Sequence, residues 1–93
     1  MEILTTLIKF RCKKECMTEQ SANAQIFFFE DKEGETKVFV PKSKLIVKDD
    51  AISDTHNLCM MPKWAFMKQK NLAENVEIIG ETQHMEVIND IED

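Results

Sequence analysis

The side chains best suited to chemistry in this 93-residue chain are three cysteines and two histidines. Cys12-x3-Cys16 and His56-x2-Cys59 offer three thiols and one imidazole, the donor set of a tetrahedral structural zinc site. Each pair has a workable ligand spacing, but 39 residues separate the pairs and neither sits in a Gly or Pro knuckle. The plainer reading places Cys12 in the core at a strand end, Cys59 beside Met60 and His56 in a loop, so neither metal nor cofactor is expected. An odd number of thiols also argues against a disulfide framework in a reducing compartment. Catalysis has less to build on. Nucleophilic hydrolysis needs a base within hydrogen-bond reach of the nucleophile, and the three serines stand outside any elbow or oxyanion-loop pattern. Two glycines cannot make a phosphate-cradling loop, and Asp49-Asp50 reads as a turn rather than a Mg²⁺ ligand pair. A non-enzymatic protein is the expectation.

Charge points to binding instead. The net charge of −5 is unevenly distributed: residues 36–71 carry seven lysines against Asp49, Asp50 and Asp54, whereas residues 72–93 carry seven acids and no base. An acidic total argues against sequence-independent capture of duplex phosphate, which needs a strongly basic footprint. Two surfaces remain candidates. Glu81, Glu86, Asp90, Glu92 and Asp93 could compete for a cationic groove on a protein partner by imitating the spacing of phosphates. Lys37, Phe39, Lys44, Ile46 and Lys48 could share one sheet surface, mixing cations that track phosphates with a ring that stacks on a base, as a single-strand platform requires.

The elements that would position these residues are mostly strands. Residues 3–12 alternate, with Thr6, Ile8, Phe10 and Cys12 on one face and Leu7, Lys9, Arg11 and Lys13 on the other. Residues 25–30 are apolar on both faces, as in a central strand. The charged segment 31–35 supplies a hairpin loop through Gly34, and 37–40 form the partner strand. Pro41 lacks a donor and ends that strand or places it at an edge. Alternation resumes over 44–48 with Leu45 and Val47 inward, and 49–57 read as a loop. Pro62 opens a helix over about 62–71 that buries Trp64. Residues 76–79 and 84–88 form a closing hairpin around Gly80 followed by a short tail, although Met85, Ile88 and Ile91 also fit a helical stripe.

The expected fold is a single α+β domain over residues 1–93. Its sheet is small, twisted and antiparallel, with four to six strands, or a partly closed SH3- or OB-like barrel, and it carries one short helix. The expected core is Ile8, Phe10, Ile26, Phe28, Val38, Val40, Leu45, Val47 and Trp64. The longest apolar runs, such as residues 26–29, are four residues, against the roughly 20 needed for a membrane-spanning helix. The start of the chain has neither a long apolar region nor a small-residue cleavage site, so a cytoplasmic protein is expected.

The order of segments over residues 24–72 resembles a set of short bacteriophage and prophage proteins. The shared features are the apolar strand 24–29, a charged Gly-containing turn, Val38-Phe39-Val40-Pro41-Lys42-Ser43 with Leu45, and Met61-Pro62-Lys63-Trp64. That set carries V-W-[LIV]-P-K-S-x-[IVL] and then [IVM]-P-x-W before a basic helix, and here Phe39 stands where Trp is common. The resemblance implies a viral or mobile-element origin and a small module in the bacterial host cytoplasm, and it hands over no site residues. In that setting the leading expectation is an accessory protein that occupies a host or phage protein complex handling nucleic acid, in the manner of an anti-CRISPR or other anti-defence inhibitor. The alternative is a single-stranded nucleic-acid-binding module of phage replication or recombination.

Overall fold

One strand organises the molecule. In the computed structural model, which describes residues 2–87, β1 (Glu2–Lys13) is flanked on both sides by antiparallel neighbours. On one side lies β6 (His56–Pro62), in register from Leu7↔Pro62 to Lys13↔His56. On the other lies β7 (Glu77–Val87), in register from Glu2↔Val87 to Arg11↔Glu77. A short strand β5 (Ile46–Asp49) pairs with β6, giving a four-stranded sheet of order β5-β6-β1-β7. Strands β2 (Glu19–Gln20), β3 (Ala24–Asp31) and β4 (Gly34–Pro41) make a second, three-stranded sheet of order β2-β3-β4. The α+β class and antiparallel pairing agree with the expectation. The barrel does not: the seven described strands divide between two separate sheets instead of closing on one another.

The core lies between the sheets. Ile8, Phe10 and Cys12 from β1 and Cys59 and Met61 from β6 meet Phe27 and Phe29 from β3 and Val38 and Val40 from β4. Phe10 is the hinge of the packing, with its ring 6.2 Å from Phe27 and 5.2 Å from Phe66 in tilted geometries. Ile26 and Phe28, expected inside, are only partly buried, and Phe27 and Phe29 take their place. The cause is the hairpin. A two-residue loop places Phe28 directly opposite Lys37 and Phe27 opposite Val38, so keeping the lysine in water turns Phe28 outward with it. Gly34 supplies the turn with φ +129°. Pro41 ends β4, which is an edge strand, as its missing donor requires.

The second half departs further from expectation. Instead of one helix over 62–71 there are two short ones, α1 (Lys63–Met67) and α2 (Lys70–Ala73), separated by Lys68 and Gln69. Two positions apart on a helix means about 200° of rotation, so Phe66 enters the core and Trp64 is turned out. Phe66 is 1% exposed and Trp64 54%. Leu72 of α2 completes the seal. Leu45 packs at the core margin, but Val47 is exposed because β5 is an edge strand with no layer over it. Gly80 does not turn a hairpin: β7 runs straight through it, with the pairing shifting from Lys9↔Gly80 to Phe10↔Ile78. Ile79 is the extra residue of a β-bulge, a local device that a glycine also serves. Residues 84–87 belong to the same strand, and the rest of the expected tail lies outside the described residues.

β6 ends opposite Leu7, so among the described residues positions 2–6 of β1 pair only with β7 and the two strands continue as an arm. The molecule is accordingly long, 49 × 27 × 21 Å. No helix among the described residues is long and apolar enough to cross a membrane.

Candidate functional site

The chain turns from β6 into α1 at Pro62, which carries Trp64 into the angle beside the unpaired edge of the β1 arm. Trp64 is the only tryptophan in the sequence and more than half of it is exposed. Lys44 Nζ lies 5.6 Å from its ring centroid and Lys68 Nζ 5.5 Å, both within cation–π range. Lys44 comes from the 3-10 turn Lys42–Lys44 and Lys68 from the break between the helices, so three separate segments converge on one ring. Among the described residues neither lysine has a carboxylate partner. Two concavities include the indole. One, of about 410 Å³, is walled by Leu4, Thr5, Thr6, Lys63 and Trp64. The other, of about 150 Å³, is lined by Thr5, Ser43, Lys44 and His84 together with Leu45, Ile46, Pro62 and Trp64.

This cluster was not visible in the sequence pattern, which placed Trp64 in the core as part of a helix over about 62–71. The local signal was the lysines on either side of it, Lys63 and Lys68, in a helix too short to have two buried faces.

The five residues expected to share a single-strand platform are not brought onto one surface. Lys37 and Phe39 lie on the outer face of the three-stranded sheet, Phe39 opposite Ile26 and Lys37 opposite Phe28. Lys37 is paired with Glu19 at 3.5 Å. Lys48 belongs to β5 in the other sheet, and Ile46 with it. Lys44 joins the Trp64 cluster, and Ile46 lines the smaller concavity with it. The reason is Pro41: the chain leaves one sheet there and enters the other after Leu45, so residues on the two sides of the turn share no face.

Glu81 is held by Lys63 at 3.2 Å. Glu86 lies in β7 opposite Ile3, and Asp90, Glu92 and Asp93 fall outside the described residues.

Nor do Cys12, Cys16, His56 and Cys59 form a metal site: no group of three metal-ligating side chains occurs among the described residues. Strand periodicity explains the failure. His56 and Cys59 are three apart on β6 and project to opposite faces, Cys59 to the core beside Phe10 and His56 to the outer face beside Lys13. Cys12 and Cys59 are buried, and burial pushes both thiols up to about 12. His56 Nδ1 is contacted by Thr55 Oγ1 at 2.8 Å and Ser53 Oγ at 3.2 Å. Those bonds pin the 50–56 loop rather than prime a nucleophile, because two hydroxyls compete for one nitrogen. The neighbouring carboxylate, Asp50, is engaged elsewhere. It accepts the Ile52 N–H at 3.0 Å and Arg11 Nε–H at 2.6 Å, which together hold it below the usual carboxylate range.

The largest cleft, about 620 Å³, opens at the other end of the core between Arg11, Lys13, Glu15, Phe28, Glu30 and Glu77. Its charges are mixed and Arg11 is already bridged to Asp50 and, at 3.9 Å, to Glu77, so it favours neither sign of ligand. Compared with protein-family models, curated proteins and solved structures, the chain has no match in any of the three.

Proposed function

We propose that this protein is a non-enzymatic module that binds single-stranded nucleic acid on the surface centred on Trp64, in keeping with the phage or mobile-element setting that its sequence resembles. The observation that carries the reading is one exposed indole flanked by two lysines that have no carboxylate partner among the described residues. Magnitudes favour a base on that ring. A cation–π contact at an exposed site is worth about 0.5–1 kcal/mol, whereas a base stacked on an aromatic side chain is worth about 1–3 kcal/mol. A base therefore displaces a lysine from the indole, and the released ammonium is then placed to meet the adjoining phosphate. Met67 and Leu4, both exposed near the ring's helix and arm, add apolar surface that tolerates any base.

Because Trp64 is the sole tryptophan, its fluorescence reports binding directly. Oligothymidine titrated at low salt should quench it, and Trp64→Ala should weaken binding by about 5- to 150-fold, measured by anisotropy of a labelled strand. Lys44→Glu with Lys68→Glu should abolish binding. The reading is overturned if single strands leave the fluorescence unchanged at low salt. It is likewise overturned if a nuclease-resistant protein partner is captured through the acidic segment while Trp64→Ala has no effect.

A further inference from the structure

We infer that the smaller concavity beside Trp64 is a phosphate subsite, in which Thr5, Ser43, Lys44 and His84 hold the phosphate next to a base stacked on the indole. The inference rests on the single-strand reading of the same surface and assigns its polar half. Four side chains from three segments converge there: Thr5 from β1, Ser43 and Lys44 from the turn after β4, and His84 from β7. Thr5 and His84 are direct cross-strand partners, so their side chains stand together on one face of the arm. Every one of the four can donate a hydrogen bond, and no carboxylate among the described residues lines the concavity. The large cleft, by contrast, includes three carboxylates.

The backbone adds to this. β6 stops opposite Leu7, so among the described residues no strand pairs with the β1 arm on that side, and its outward backbone groups there are left outside a ladder. Lys44 belongs to both halves of the site, because it lies over the indole and also lines the polar concavity. At about 150 Å³ the space is enough for a phosphate. The larger, mostly apolar concavity walled by Leu4 and Trp64 is left for the base and sugar. The phosphate could be an internal diester of a strand or the monoester at a 5′ end, and the same donors serve either.

The test uses the full chain with eight-nucleotide oligothymidine in three forms: 5′-hydroxyl, 5′-phosphorylated, and neutral methylphosphonate. Ser43→Ala and His84→Ala should each weaken binding of the phosphate-backbone strands by about tenfold, the loss of a hydrogen bond to a charged group. Both should bind the methylphosphonate strand as the wild type does. Lys44→Gln should lower the slope of log affinity against log salt by about 0.7, one phosphate contact, whereas Trp64→Ala should weaken binding with the slope unchanged. A tenfold preference for the 5′-phosphorylated strand identifies the monoester as the occupant. Equal affinity for both, with the same loss in Ser43→Ala, identifies the diester. If Ser43→Ala and His84→Ala bind phosphate-backbone strands like the wild type while Trp64→Ala does not, the subsite is wrong and the single-strand reading stands. If Trp64→Ala also binds normally, both fall.

Discussion

Phe66 and Trp64 sit two residues apart on the same five-residue helix, and the structure gives them opposite roles, so truncating each to alanine separates packing from surface. Phe66 is 1% exposed and packs against Phe10 in a tilted geometry, with ring centroids 5.2 Å apart. Its removal forfeits the transfer energy of a buried ring and leaves a cavity bounded by both sheets, about 3–5 kcal/mol, with about 0.5–1.5 kcal/mol for the lost aromatic pair. Trp64 is 54% exposed. A fully buried indole covers about 250 Å² at about 25 cal/mol per Å², so a little under half of that sets a ceiling of about 3 kcal/mol. The remaining alanine, the compactness of the unfolded chain and alanine's better helix propensity reduce this to about 1 kcal/mol, and water fills the space without a cavity cost. Urea unfolding followed by far-ultraviolet circular dichroism measures both, since Trp64→Ala has no indole to report. With m about 1–1.5 kcal/mol per M, the midpoint should fall by about 1 M for Trp64→Ala and by about 3 M or more for Phe66→Ala. A domain of this size has about 5–14 kcal/mol in total, so Phe66→Ala should be barely folded, and Phe66→Leu provides a measurable intermediate. Equal losses for the two alanines, or a larger loss for Trp64→Ala, would refute the orientation of the helix and with it the exposed site.

Cys12 and Cys59 should resist iodoacetamide at about pH 8 while Cys16 reacts first, as peptide mass spectrometry would show, because burial pushes the former two to about 12 and Cys16 is only half-buried. For the same reason folding favours the neutral thiol at Cys12 and Cys59. Their contribution is full below about pH 9 and is lost as pH rises toward 12, so Cys59→Ala should flatten the alkaline limb of the midpoint-against-pH curve. Asp50 behaves oppositely. The Ile52 N–H and then Arg11 depress its carboxyl, so the stability it contributes is present above its ordinary 3.8 and is lost as pH falls below it; Asp50→Asn should flatten the acid limb of the same curve. Gly34→Ala should cost about 1–3 kcal/mol in chemical denaturation through backbone strain alone, since no atom lies within 4 Å of the added methyl at φ +129°.

Where local chemistry decides, the sequence is readable. Charged turn residues around Gly34, the missing donor of Pro41 and the alternation of residues 6–12 each settle one element, and each is found as expected. Where two faces are equally apolar, pattern alone cannot choose. Residues 26–29 are apolar throughout, and only the hairpin register, by placing Lys37 opposite Phe28, decides that Phe27 is the buried one. β7 escaped for a different reason. Its partner is the far end of the chain, a pairing with no local signature, and a glycine that marks a bulge looks the same in sequence as one that marks a turn. The candidate site suffered from both limits: Trp64 looked like core by size, and its neighbours Thr5, Ser43 and His84 come from segments spread across the whole chain.

The net charge of −5 says little about the field at that site. Five acids are paired with bases: Asp50 and Glu77 with Arg11, Asp49 with Lys14, Glu19 with Lys37, and Glu81 with Lys63, which walls the larger concavity beside Trp64. The two lysines over the indole, Lys44 and Lys68, have no such partner among the described residues, and the three acids of the basic middle segment all fall in residues 49–54, at and beyond the end of β5. Screening then makes the separation effective. The Debye length at physiological ionic strength is about 8 Å, while the molecule is 49 Å long, so charges at one end do not set the potential at the other. An acidic protein can in this way present a locally cationic surface to a single strand while its total charge discourages the indiscriminate duplex binding that a uniformly basic domain of the same size would show.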